Sequence, residues 1–349
     1  YPLSAEDMNE ADCTVPVVET LLTINGESGS KKATNIAFSG ITFCYGAWQS
    51  PSEKGFAPIQ AEQISAPDDP EAVSISGMYP SKLMPAQLQV NYADGVSFTD
   101  NAFEHLGSQA VSLNNMTTNS RINGNLFDDI SASAVTVGDW TLKTDSLMTE
   151  FCRNNEIYGN LIRRAAVEYM TPIITAYYVN NVKISHNDIK DAPYTGISLG
   201  WGWGTLDPLH CADNEVSGNR IENAMYKTAD GGHIYTVGAM PRSVISDNYM
   251  IKTDDWKGGI YHDAGSAYIT DFNNVIEDVP RWLKLTYFNI HDNTAHDNYS
   301  ETPFFVTYPD DNNIDAAIGK TGGAWPAVAQ AIIESAGLPE EYSGLLAEY

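Results

Sequence analysis

Apolar and polar residues alternate along this chain in short runs, and the runs recur. VSFT (96–99), VKIS (182–185) and SVIS (243–246) each place every second residue on one face, the period of a strand. Each leads into an asparagine followed two positions later by an apolar residue, in TDNAF (99–103), NGNLF (123–127), YGNLI (158–162), SHNDI (185–189), SGNRI (217–221), SDNYM (246–250) and FNNVI (272–276). The asparagines stand at 101, 125, 160, 187, 219, 248 and 274, with gaps of 24, 35, 27, 32, 29 and 26. After most of them comes a second small-plus-apolar run: AVSL (110–113), AVTV (134–137), GISL (196–199), HIYTV (233–237) and GIYH (259–262). A period of this length, with short strands and no helical spacing between them, predicts an all-β solenoid of nine or ten coils. Alternation predicts that GISL buries Ile197 and Leu199. Identical residues on successive coils lie about 4.8 Å apart, so the asparagines are expected to bridge neighbouring backbones and to carry no chemistry.

Two stretches break the rhythm. The interval from Gly40 to Asn101 is 61 positions long and rich in Pro and Gly breaks, read as a loop insertion over about 44–90 on the solenoid flank. At the end, AWPAVAQAIIESAGL (324–338) has Val328 and Ile332 at helical spacing, Ala329 and Ala336 on the same side and Pro326 in the first turn. The predicted organisation is therefore a solenoid over 1–323 with a helical cap on its open end over 324–349.

Charge narrows the partners. The chain carries 45 acidic and 19 basic residues, a formal net charge of −26. Such a surface repels nucleic acid and anionic membranes. No run approaches the roughly 18 apolar residues of a membrane span, so insertion into a membrane is not expected. Cys13, Cys44, Cys152 and Cys211 make no zinc spacing; they are read as isolated thiols, with Cys13–Cys44 the one pairing that offers itself. Asn115 and Asn298 begin Asn-x-Ser/Thr sequons. The chain opens YPLSAEDM without Met, as a processed or truncated product would.

Ionisable and aromatic residues thicken between 195 and 300, around GISLGWGWGTLDPLH (196–210), TADGGHIYTVG (228–238) and KGGIYHDAGS (257–266). Aromatic planes beside carboxylates suit a sugar, whose apolar face stacks while its hydroxyls are hydrogen-bonded. Glycoside hydrolysis needs two carboxyls about 5–5.5 Å apart for retention and about 6.5–9.5 Å for inversion. Asp230 and Asp263 each adjoin a Gly-x-Ile-Tyr strand. Aligning Ile234 with Ile260 puts Asp230 four residues before and Asp263 three after, so spacing alone leaves Glu168, Asp207, Asp254 and Asp255 as other carboxyls. No HExxH, P-loop or G-x-S-x-G occurs. No metal site or cofactor is assigned, although stray aspartates leave a structural calcium open. A polysaccharide lyase would want more cations than Arg163, Arg164, Lys252, Lys257, Arg281 and Lys284. A non-catalytic carbohydrate-binding or adhesion solenoid would keep the aromatics without needing the carboxyl pair.

The segments ETLLTINGES, TNIAFSGITFCYGAW, GISLGWGWG, ADGGHIYTVG, GGIYHDAGS and QAIIESAGLPEEY, in this order from about 15 to 345, resemble glycoside hydrolase family 141. The resemblance implies a single-stranded right-handed parallel β-helix and a secreted, extracellular or periplasmic hydrolase of plant or other complex polysaccharides, with α-L-fucosidase- or xylanase-like activity. It places the catalytic carboxyls at Asp230 and Asp263. Trp201 and Trp203 are then expected to stack the sugar, and His233, Tyr235, Tyr261, His262 and Glu168 to contact it or tune the carboxyls. Three positions depart from the family pattern: His233 stands for a glycine, His262 for a leucine and Ala264 for an acidic residue. The opening YPLSAEDM resembles the middle of a family member, so a preceding segment is expected.

Overall fold

The computed structural model describes residues 10–11, 13–51, 62–70, 72, 80–140, 151–201, 211–253, 258–285, 289–303, 305–307 and 311–347. Its strands stack into three long parallel sheets, the first and second of ten strands and the third of nine. The chain visits them in the same order on each turn. Ile234–Val237 belongs to the first sheet, Ala239–Ser246 to the second and Tyr249–Ile251 to the third, and Ile260–His262 returns to the first. The molecule is a parallel β-solenoid. Alternation fills it: Ile174, Ile197, Ile234, Ile260 and Leu283 stand in one register line of the first sheet and are fully buried. Each such side chain contributes about 2 kcal/mol.

The asparagine ladder runs along the corner between the second and third sheets. Asn160 shows the pattern. Its Nδ2 donates to Ile122 O at 2.8 Å and to Asn187 Oδ1 at 2.8 Å. Its Oδ1 accepts from the backbone N and the Nδ2 of Asn125, both at 3.0 Å. The same exchange links Asn101, Asn125, Asn187, Asn219, Asn248, Asn274 and finally Asn298. Asn298 is 1% exposed and committed to the ladder, so its sequon is a structural coincidence. The residue before each ladder asparagine is left-handed, with φ of 54° at Asp100, 62° at Gly159 and 57° at Asp247. That requirement explains why Gly, Asp, Asn and His fill this position.

The 44–90 interval is less of a loop than its punctuation implies. Thr42–Gly46 is a regular strand of the third sheet and Ala86–Asn91 one of the first, so the chain leaves the coil path only between them. Within the excursion Gln63–Ser65 pairs antiparallel with Ser81–Leu83. The alternating AQLQVN was there to be read as a strand; the prolines around it obscured it.

The C-terminal segment departs from the expected cap. Helix α1 (Ala327–Ser335), N-capped by Pro326, buries Ala329 and Ile332 against Tyr249, Val275 and Tyr299 on the outer face of the third sheet. Val328, read as part of the apolar stripe, is exposed. From there the chain runs back along the flank. Gly337 N donates to Gly218 O at 2.8 Å. Tyr342 lies on Gly159 and Gly124, where a Cβ would come within 2.5 and 2.2 Å of its ring. Leu345 lines a depression with Gly40, Ile41, Asp100 and Asn101. The outward-facing apolar side chains of the third sheet form a flank seam, and α1 has the stripe to cover it. All four thiols are free, and no helix among the described residues is long and apolar enough to cross a membrane.

Candidate active site

Register and alternation decide what the first sheet shows to the outside. Its outward line reads Ser112, Thr136, Thr175, Ser198, Tyr235, Tyr261 and Lys284 in successive coils. The adjacent inward line reads Val137, Ala176, Leu199, Thr236, His262 and Leu285. Small hydroxyls thus give way to two tyrosines and a lysine at the point where the carboxyls gather.

Asp263 follows strand Ile260–His262 and is 5% exposed. Tyr235 OH donates to its Oδ2, Tyr261 OH donates to its Oδ1 at 3.2 Å, and Ala264 N donates to the same Oδ1 at 2.8 Å. Burial raises its pKa above the ordinary aspartate value. The Tyr235 hydroxyl and the Ala264 amide pull it down, and the charge of Asp230 pushes it up again. The two tyrosine rings meet edge to face at 5.3 Å, and Lys284 Nζ lies 3.8 Å from the Tyr261 centroid.

Asp230 stands in the turn before strand Ile234–Val237, exposed, with φ of 77°. A non-glycine residue in that region carries strain. Tyr194 OH donates to its carbonyl at 2.7 Å. Gly231 follows where a Cβ would lie 2.3 Å from Thr195 Oγ1, so the chain can hug the coil only with glycine there. Ile234 and Ile260 pair as aligned by sequence. Asp230 and Asp263 therefore stand at the leading and trailing edges of one strand pair, with the tyrosines between, close enough for one charge to act on the other.

Other expected contacts lie elsewhere. His262 points into the solenoid. Its Nδ1 meets Thr236 Oγ1 at 2.7 Å and its Nε2 meets Asp271 Oδ2 at 2.7 Å, with all three residues fully buried. It follows Tyr261 by one residue, and alternation turns it inward. His233 is also fully buried, with Nε2 3.3 Å from Ile251 O, and burial lowers its pKa to about 4, which keeps it neutral. Neither ring reaches the outer face. Trp201 is 5% exposed, edge-on to Tyr177 at 5.4 Å and tilted against Trp140 at 5.9 Å. Glu168 is exposed in a turn beside Tyr169, on the leading edge of the first sheet that also carries Asp230. Trp203, Asp207, Asp254 and Asp255 lie outside the described residues. Among the described residues no group of three or more His, Cys, Asp or Glu side chains is gathered as a metal would need.

Two fully buried acids among the described residues escaped the sequence reading. Asp271 is fully buried between Ile245 and Ala295. The alternation of Ala267, Ile269 and Asp271 puts it on the inner face, a signal that was legible. Glu62 gave none. It stands at the start of the hairpin, fully buried, and accepts from Thr175 Oγ1 at 2.8 Å and from the hydroxyls of Ser133 and Tyr177. Burial outweighs these three donors and raises its pKa to about 7.

No family model matches the chain, and no curated protein does. Among solved structures, one described as the complex of XylC with xylose is 12% identical over 66% of this chain and 49% of its own, with a TM-score of 0.41. PfbA, a surface adhesin of Streptococcus pneumoniae, is 12% identical over 88% of this chain and 76% of its own, with a TM-score of 0.47. A protein described as "Glycoside hydrolase" is similar at a TM-score of 0.71 and 26% identity, over 95% of this chain and 54% of its own. The chain spans about half the length of that relative, and nearly all of the chain is accounted for by it.

Proposed function

We propose that this chain is a carbohydrate-active solenoid that hydrolyses glycosidic bonds of a complex polysaccharide outside the cytoplasm, α-L-fucosidase- or xylanase-like. Its coils would wind right-handed, the sense that successive parallel crossovers adopt in about 98% of cases. The observation that carries the reading is Asp263. It is a nearly buried carboxyl at the edge of the outer face, oriented by two tyrosine hydroxyls and a backbone amide, with a second carboxyl across the same strand pair. A carboxyl pushed toward its neutral form suits the general acid that protonates a leaving oxygen, and an exposed one suits the nucleophile or base. Asp263 takes the first role and Asp230 the second. Tyr235 and Tyr261, both buried, hold the Asp263 carboxyl. The likeness to a solved glycoside hydrolase supports the same reading.

The test is release of sugar from fucosylated pectin fragments, xylan and aryl glycosides by the protein and its Asp230→Asn and Asp263→Asn variants. Each substitution is expected to lower kcat about a thousandfold. Because burial raises the Asp263 pKa, the acid stays protonated above the ordinary aspartate range, and activity falls as pH rises through the shifted value. Turnover within a few-fold of the parent in both variants refutes the assignment.

A further inference from the structure

Resting on that reading, we infer that a buried chain of side chains, Asp271–His262–Thr236–Ser266, is the positioning device of the general acid: it fixes from inside the turn that carries Asp263. The inner line of the first sheet is apolar at Val137, Ala176, Leu199 and Leu285, and between these it turns polar at Thr236 and His262, on the two coils that meet at Asp263. Thr236, His262, Ser266 and Asp271 are all fully buried, and Asp271 Oδ1 has no hydrogen-bond partner. An apolar set of similar volume would fill the same space at less cost, so stability alone does not account for these residues.

The hydrogen bonds run in one direction. Ser266 Oγ donates to Thr236 O at 3.0 Å. A hydroxyl has a single hydrogen, so Ser266 Oγ accepts from Thr236 Oγ1 at 2.9 Å, and Thr236 Oγ1 accepts from His262 Nδ1 at 2.7 Å. His262 Nε2 faces Asp271 Oδ2 at 2.7 Å. Asp271 anchors the far end in the second sheet, where strand Ala267–Phe272 sets it between Ile245 and Ala295. The near end is the turn. Thr236 O, the carbonyl that takes the Ser266 hydroxyl, also takes Asp263 N at 2.9 Å, and Ser266 N closes the turn onto Asp263 O at 2.9 Å. Gly265, third in that turn, supplies the left-handed φ of 82° that places Ser266 under it. Both ends of the turn are therefore tied from inside to Thr236, while the Tyr235 and Tyr261 hydroxyls hold the Asp263 carboxyl from the other side. A carboxyl that protonates a leaving oxygen works only within a narrow range of positions, and a misplacement of about 1 Å costs about a hundredfold in rate. His262 and Thr236 act on that position through the backbone of Asp263.

The experiment measures kcat, KM and Tm on xylan, fucosylated pectin fragments and aryl glycosides for the unaltered protein, for His262→Leu with Asp271→Val, for Thr236→Val and, as the reference, for Asp263→Asn. Leucine suits position 262, since Leu199 and Leu285 stand in the same inner line. Thr236→Val cuts the chain at its middle and keeps the shape of the side chain. The expected result for both is a kcat about ten- to a hundredfold lower at a KM within about twofold of the parent, with the paired variant melting close to the parent. Parent kcat in either variant, with Asp263→Asn inactive, overturns the inference and leaves the acid assignment standing, and so does a loss carried by KM alone. If the paired variant fails to fold, Thr236→Val decides. Parent turnover by Asp263→Asn, or no release from any of these substrates by the unaltered protein, sinks the hydrolase reading and this inference with it.

Discussion

Replacing Glu62 with glutamine keeps the shape of the hairpin latch and removes its titration. The carboxyl is fully buried, and its pKa rises from an ordinary 4.5 to about 7. Below 4.5 the acid is neutral in both folded and unfolded chains and costs nothing. Between 4.5 and 7 the unfolded chain gives up its proton and the folded chain keeps it, so stability falls. Above 7 the loss levels off at about 3 kcal/mol, because each pH unit of displacement corresponds to about 1.4 kcal/mol. A glutamine escapes the loss. For 349 residues the unfolding entropy is roughly 0.7 kcal/mol/K, so the variant should gain about 4 °C in Tm on the parent between pH 4 and pH 8. The assay is calorimetric melting of both proteins across that range, read as the change in their difference, so that a constant offset from the amide's own hydrogen bonds drops out. Parallel melting curves, or a parent that gains on the variant as pH rises, would show that the three hydroxyl donors outweigh burial and that Glu62 is ionised.

The interior pair gives a sharper contrast. His262→Leu leaves Asp271 buried without its imidazole and should cost about 3–5 kcal/mol at neutral pH, while His262→Leu with Asp271→Val should recover most of it in thermal melts. A single variant as stable as the parent would show that Asp271 does not depend on His262. Asn160→Ala should cost about 3 kcal/mol by chemical denaturation, because the buried backbone N–H of Asn125 then faces no acceptor and Ile122 O loses its donor. A loss under 1 kcal/mol would mean that the coils close up without the ladder.

The coil pattern was legible in the chain because two signals agree. Strand alternation marks the inner faces, and the left-handed residue before each ladder asparagine confines that position to Gly, Asp, Asn and His. The eighth rung, Asn298, was hidden by its sequon. Asp263 could be picked out because it ends a strand beside Tyr261. The inward turn of His262 follows from the same alternation applied one residue further. What local pattern could not carry was contact between distant parts of the chain. Glu62 lies 113 positions from Thr175, in a stretch whose prolines and glycines read as loop, and its partners are plain hydroxyl residues. The placement of α1 escaped for the same reason: its apolar stripe announces burial, and only the outward Tyr249, Val275 and Tyr299 say where.

A stack of coils is ordinarily a one-dimensional object, in which each turn senses its immediate neighbours and fraying can begin at either tip. The return of residues 327–346 along the flank changes that connectivity. The segment touches Tyr299 near one tip, Gly218 in the middle and the Gly40–Asn101 corner near the other. Peeling the last coils away therefore drags on a thread fastened to the first, and loosening the first coils slackens the thread over the last. Unfolding that would run turn by turn becomes a closed loop of dependencies, and the molecule should melt as one unit rather than unravel from its tips.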